Sequence, residues 1–234
     1  MPEYIYDIDQ RTPEWDALRI GSIGGCAINS VLSKGQGKSR QTLLYQLASE
    51  ILSGVKTDGF QSQAMQRGIE LEPEAREGYE FLAGTQVDQV AIVKPDHPGR
   101  VHVSPDGLVG DNGGIEIKVM LPHTYIELVD TGKIALQYLR QCQHFLWVTG
   151  RKWIDFVAYC PEITSRPIWI ARQEPNEKIQ AAITTEIPLF LAELKTLINK
   201  VAAQWLLSRN SPASFKVASP CSTTWQNTGP TLPG

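Results

Sequence analysis

Apolar residues recur along this chain at two different spacings, and the change falls just after Gly84. Before it the spacing is helical. Thr12-Pro13-Glu14 combines a capping side chain, a first-turn proline and a first-turn acid, so a short helix is expected over residues 13–20. Leu43, Leu44, Leu47 and Ile51 repeat at helical intervals. They predict a second helix over 40–52, with Ser39 as its cap and Gly54 as its stop. A third helical stretch covers 61–83, with Pro73 inside it and Gly84 behind it.

Beyond Gly84 the segments shorten and become β-branched, separated by Pro, Gly and Asp. Strands are expected at 87–93, 101–103, 108–109 and 114–119. Helical spacing returns at 122–129 and 134–148, strands at 153–159 and 168–171, and a long helix at 175–207. The order predicts a mixed α/β fold: a central mixed sheet flanked by helices. A single domain is expected over 1–209, followed by a flexible tail over 210–234 whose Ser, Pro, Thr and Gly show no periodicity.

Composition narrows the picture. At 234 residues and 42% hydrophobic, the chain is long enough to bury a core without staples. No apolar run reaches the roughly 20 residues that span a bilayer. The mixed, acidic N-terminus is unlike a signal peptide, so a soluble cytoplasmic protein is expected, with no membrane partner. Cys26, Cys142, Cys160 and Cys221 are far apart, which argues against a zinc finger or an iron–sulfur cluster. The net charge of −3 does not point to nucleic acid, yet a positively charged groove can sit in an acidic protein.

The chemistry concentrates in Ser104-Pro105-Asp106-Gly107 and Gly114-Ile115-Glu116-Ile117-Lys118. On a strand, Ile115, Ile117 and Val119 share one face, and Glu116 and Lys118 share the other. A hairpin returning from a turn at Asp106 brings Asp106 beside Glu116. Two such carboxylates, with the Ile117 carbonyl as a further oxygen, suit a hard divalent cation such as magnesium, with manganese as a substitute. A cation there polarises a phosphodiester, and Lys118 can orient or deprotonate water. Taken singly, a Pro-Asp-Gly turn and a surface Glu–Lys pair are ordinary; their order and spacing are what signify.

Three weaker candidates surround this core. If 61–83 is one helix, Glu72 falls within a stripe of Met65, Ile69, Ala75, Tyr79 and Leu82. An inward carboxylate needs a partner, either a metal or Arg76 one turn on, and Pro73 can reset the phase. Gln141 shares a face with Ile134, Tyr138, Phe145 and Val148, as a phosphate donor or as a core amide. Arg19 ends the first helix, and arginine grips phosphate bidentately. Gly35-Gln36-Gly37-Lys38-Ser39 lacks the leading glycine of a P-loop, because Leu32 stands there. Lys34, Lys38 and Arg40 are instead expected to form a basic loop near a DNA backbone. Of the scattered histidines, only His144 lies near the Gln141 face.

RTPEWDALRIGSIGG, RGIELEPEAREGYEF, SPDGLV, GIEIK and QYLRQCQHFLWVTGRKWIDFVAYCP occur in that order over residues 10–172. In these stretches the chain resembles the lambda-exonuclease and YqaJ-type viral recombinase family, within the PD-(D/E)XK nuclease superfamily. The resemblance implies magnesium-dependent 5′-to-3′ exonuclease activity on one strand of linear double-stranded DNA. Mononucleotides and a 3′ single-stranded overhang for recombination by strand annealing would result. It also implies a phage or prophage protein in a bacterial host, a ring-shaped homotrimer and a single-strand annealing protein as partner. By the same resemblance Asp106, Glu116 and Lys118 are catalytic, Glu72 helps hold a second metal, and Arg19, Ser104 and Gln141 grip the 5′ phosphate. Cys26 stands where the lambda enzyme has a serine, and a thiol is the weaker donor. A PD-(D/E)XK endonuclease, a junction resolvase and a non-catalytic DNA-end-binding factor remain the alternatives.

Overall fold

The computed structural model describes residues 1–33, 37–57, 62–96 and 99–209. Its centre is a four-stranded sheet in the order β3 (Gly107–Val109), β4 (Gly113–Val119), β5 (Ile154–Tyr159), β6 (Ile168–Gln173). The β3–β4 and β5–β6 pairs are antiparallel, and β4–β5 is parallel. A parallel pair needs a crossover, here α5 (Pro122–Thr131) and α6 (Leu136–Thr149). The expected mixed sheet between helices is therefore what the chain forms.

Both faces of the sheet are covered. Ile115, Ile117, Val157 and Ile168 pack with Ala75 and Tyr79 of α4 (Gln63–Ala83). Phe156 and Ala158 lie in a larger core with Phe145 of α6 and with Ile183, Ile187 and Phe190 of α7 (Glu177–Arg209). Cover on both sides explains why every residue of β5 is buried. One of them, Asp155, is charged. It accepts bonds from the Tyr79 hydroxyl at 2.8 Å and from Arg172 at 2.9 Å twice. The compact unit runs from Met1 to Asn199, and Lys200 begins a second unit of which the described part is the end of α7. The tail expected at 210–234 lies outside the described residues, as does Cys221.

The N-terminal helices form close to expectation. Helix α1 (Pro13–Arg19) is capped by Thr12, whose hydroxyl accepts from Trp15 N at 3.3 Å. Helix α3 spans Lys38–Ser53, starting from Gly37, so Ser39 lies within the helix and is not its cap. Helix α4 runs unbroken through Pro73. A proline costs one backbone bond in a helix, and the packing of Ala75 and Tyr79 on the sheet offsets that loss. Gly54 and Gly84 end their helices in the left-handed conformation.

Some elements depart from the pattern. Glu3–Ile5 forms a strand, β1, antiparallel to β2 (Ile92–Lys94). A 3-10 turn at Gly25–Ala27 leads into a short helix, α2 (Ile28–Val31). Residues 101–103 make only single bridges, Val101 to Ile23 and Val103 to Val93. The basic-loop expectation also changes. Arg40 donates to Val31 O at 2.7 Å and pairs with Glu193 at 2.7 Å, so α7 occupies it; Lys34 lies outside the described residues. Among the described residues no helix is long and apolar enough to cross a membrane.

Candidate active site

The β3–β4 ladder pairs Gly107 with Ile115, Leu108 with Gly114 and Val109 with Gly113. Continued by one step, it sets Asp106 opposite Glu116. Asp106 is thus the bend that enters β3, and the turn of the hairpin lies further on, after Val109. The Asp106 carboxylate accepts from Ile117 N at 2.7 Å. Glu116 is buried and takes a salt bridge from Lys118 Nζ, as expected for neighbours on one strand face. Lys118 also lies over the Tyr138 ring, 5.7 Å from its centroid.

Electrostatics follow from this crowding. Burial first, and the Glu116 charge second, push the Asp106 carboxyl up to about 8, against the pull of Lys118. Burial works against the Lys118 ammonium, but Glu116 and Asp106 outweigh it and hold it above its ordinary value. Two adjacent carboxylates that resist sharing negative charge offer the oxygen donors that a hard divalent cation takes. No group of three or more His, Cys, Asp or Glu poised for a metal occurs among the described residues.

Glu72 explains the missing third carboxylate. Arg11 Nη2 bonds one of its oxygens, and Arg76 Nη2 bonds the other at 2.6 Å. Arg76 Nε also donates to the Asp106 backbone oxygen at 3.1 Å. One arginine therefore ties Glu72 to the Asp106 bend, and the expected pair with Arg76 one turn on is present. Arg11 holds its place in the left-handed backbone region, with φ 69°, which non-glycine residues seldom adopt. The helix face differs from the expected stripe. Ala75 and Tyr79 are buried, whereas Met65 and Leu82 are exposed, because only the middle of α4 meets the sheet.

A second group gathers beside the first. Arg19 stacks on Trp15, its guanidinium carbon 3.6 Å from the ring centroid. Trp15 Nε1 donates to Ser104 Oγ at 3.2 Å and to Ala91 O at 2.9 Å. Gln141 Nε2 approaches Cys26 Sγ at 3.8 Å. Gln141 is therefore half-buried at the surface rather than a core amide. The core amide of α6 is Gln143, which bonds Glu174 O at 2.8 Å and Asn176 N at 2.7 Å. Crowding by protein raises the Cys26 thiol, which also feels Lys118, Glu116, Asp106 and Arg19.

Several members of this neighbourhood were invisible to sequence spacing. Glu50 is fully buried on α3 and accepts from Lys56 at 2.7 and 2.8 Å and from Gly21 N at 2.8 Å. Gly21, with φ 62°, packs where a Cβ would strike Ile51, so α3 fixes the chain just after Arg19. His102 is buried against Arg19, and His144 Nε2 donates to the His102 carbonyl at 2.9 Å. His144 is therefore a buried structural group behind the site.

Burial depresses both imidazoles, His102 well below its ordinary value and His144 to about 4. A base depressed in the fold contributes stability that is present above its unfolded value of about 6.5 and lost as pH falls toward the folded value. Lowering the pH from 7 to 5 is expected to cost about 2 kcal/mol through His144 alone. Chemical denaturation of wild type and His144→Gln at both pH values checks this. The variant should show the smaller pH-dependent loss, and equal losses would contradict the assignment.

The chain belongs to the YqaJ-like viral recombinase domain family, whose pattern matches residues 14–152. Every residue singled out above from Arg19 to Gln141 lies within that match. The chain is also 35% identical to the alkaline exonuclease LHK-Exo from Laribacter hongkongensis. That match covers 84% of this chain and 100% of that one, with a TM-score of 0.78. The complex of LHK-Exo with dAMP matches at 36% identity and a TM-score of 0.79, over the same 84% and 100%. A phage-related exonuclease from Haemophilus somnus 129PT shares the fold at 13% identity, with a TM-score of 0.56 over 77% of this chain and 96% of that one. No curated protein matches the chain.

Proposed function

We propose that the chain is a magnesium-dependent exonuclease that digests one strand of linear duplex DNA from its 5′ end. Its products would be mononucleotides and a 3′ single-stranded overhang for recombination by strand annealing. The observation that carries this reading is the ladder position of Asp106 opposite Glu116, with Lys118 two residues on. Similarity to an alkaline exonuclease over that protein's whole length supports it.

In this reading Asp106, Glu116 and the Ile117 carbonyl hold the first cation, magnesium or manganese. Glu72 helps hold a second after giving up an arginine contact. When bound, the cation supplies Lewis acidity toward a phosphodiester oxygen and a lowered pKa for water. Lys118 orients the attacking water and balances charge on the phosphate. Arg19, Ser104 and Gln141 anchor the terminal 5′ phosphate, the guanidinium by charge-assisted bonds and the others as neutral donors. Anchoring the end sets which phosphodiester reaches the carboxylates, and so gives release one nucleotide at a time.

Covalently closed supercoiled DNA tests the end requirement. Linear duplex is expected to be degraded with magnesium and spared in EDTA, while the closed circle stays intact. Nicking of the circle would instead mark an endonuclease, and no cleavage of either would mark an end-binding factor. The same reading includes a ring-shaped homotrimer around DNA and a single-strand annealing partner. Light scattering that returned a monomer mass at working concentration would contradict the ring.

A further inference from the structure

We propose that His102 is a positioning residue that holds Arg19 in the orientation needed to take a terminal phosphate; this rests on the reading of Arg19 as a 5′-phosphate ligand. Residues 101–104 alternate in direction. Val101 and Val103 are buried in the core, each bridged to a neighbouring segment. His102 and Ser104 therefore point the other way, toward α1. There they meet the two halves of one assembly: Ser104 Oγ accepts from Trp15 Nε1 at 3.2 Å, and His102 Nε2 accepts from Arg19 Nε at 3.3 Å.

The imidazole is fixed from every side. Its Nδ1 lies 2.8 Å from Ser22 Oγ. Because Nε2 must accept from the guanidinium, Nδ1 carries the proton and donates to Ser22. The backbone is held as well, with His102 N donating to Ile23 O at 3.0 Å and the His102 carbonyl accepting from His144 at 2.9 Å. An ideal Cβ on Gly24 would fall 2.9 Å from His102 Nε2. Only glycine admits the ring at that position.

The guanidinium is held on three counts. Its face rests on Trp15, Nε meets His102, and Nη1 reaches Asp16 at 3.4 Å. Nη2 has no protein partner among the described residues. A neutral acceptor at Nε orients the fork without adding a second negative charge to that of Asp16. A carboxylate in that place would compete with the phosphate for the fork. A preset fork also loses less side-chain freedom when the anion binds.

Rates on linear duplexes with a 5′-phosphoryl or a 5′-hydroxyl end test the proposal, with melting curves for each variant. His102→Leu removes the acceptor and is expected to lower the phosphoryl-to-hydroxyl rate ratio about tenfold. His102→Gln, whose amide oxygen reaches the Nε2 position, should restore most of the ratio. Ser22→Ala, which frees Nδ1, should lower it partially. Arg19→Ala separates the two claims. A ratio unmoved by Arg19→Ala overturns the reading of Arg19 itself. A ratio that collapses in Arg19→Ala but holds in both His102→Leu and Ser22→Ala overturns the role of His102. Should His102→Leu fail to fold, Ser22→Ala carries the test, and a phosphoryl-to-hydroxyl ratio in that variant equal to that of the wild type overturns the proposal.

Discussion

Asp106→Asn is expected to abolish DNA cleavage while making the metal-free protein more stable. The catalytic half follows from the proposed chemistry. Lewis-acid stabilisation is worth several kcal/mol, and about 1.4 kcal/mol is tenfold in rate, so the loss should be on the order of a thousandfold or more. The stability half follows from the crowding at β4. Asp106 is pushed up to about 8, by burial first and then by Glu116. An acid raised in the fold contributes stability that is complete below its unfolded value, near 4, and lost as pH rises through the folded value. At pH 8 the wild type therefore carries a charge that the fold disfavours, and asparagine removes it. The variant in EDTA should gain at least about 1 kcal/mol at pH 8, with the gap shrinking toward pH 4. Magnesium should raise the melting temperature of the wild type and leave the variant unmoved. A variant that melts below wild type in EDTA, or that responds equally to magnesium, would contradict the account.

Lys56→Met is expected to cost about 3 kcal/mol, because it strands a buried carboxylate. Burial alone would push the Glu50 carboxyl up, but the bonds from Lys56, Gly21 N and Thr57 N outweigh it and hold it below its ordinary value. A depressed acid gives stability that is present above the unfolded value of about 4.3 and lost as pH falls through the folded value. Without Lys56 that balance reverses. The deficit of the variant should then narrow as pH falls and Glu50 takes a proton. Urea titrations of both proteins at pH 7.5 and 4.5 measure it. A deficit that is the same at both pH values would mean that Lys56 acts by packing and not by charge. The effect bears on the site because Glu50 holds Gly21 at 2.8 Å, two residues beyond Arg19.

The hairpin was legible because alternation on a strand is geometric. Once 114–119 is a strand, Glu116 and Lys118 must share a face, and a returning partner must bring Asp106 close. Helix α1 was legible because Thr12 and Pro13 carry its start in their own chemistry. What escaped depended on contacts far along the chain. Strand β1 exists because Glu3–Ile5 meets Ile92–Lys94, a pairing that no local pattern announces. The apolar stripe on α4 misled because Met65 and Leu82 are exposed, while Glu72 is held between Arg11 and Arg76. Arg11 escaped because only the fold brings it across from the N-terminal segment to Glu72; the Arg76–Glu72 pair was legible from helical spacing, but the bond from Arg76 to the Asp106 backbone was not. Glu50 and Asp155 carry no local sign of their burial, since the partners that make it tolerable, Lys56 with Gly21 N and Tyr79 with Arg172, are set by the fold. His102 sits between two valines, where alternation would have sent it to the opposite face, but nothing in the sequence says that Arg19 waits there.

The most direct test of the central claim is digestion of a linear duplex that carries a 5′ phosphate at one end only, each strand labelled separately, with magnesium or with EDTA. Magnesium-dependent loss of the 5′-phosphorylated strand alone, to mononucleotides, is the expected result. Loss of both strands together, or internal fragments, would contradict end-directed digestion of a single strand.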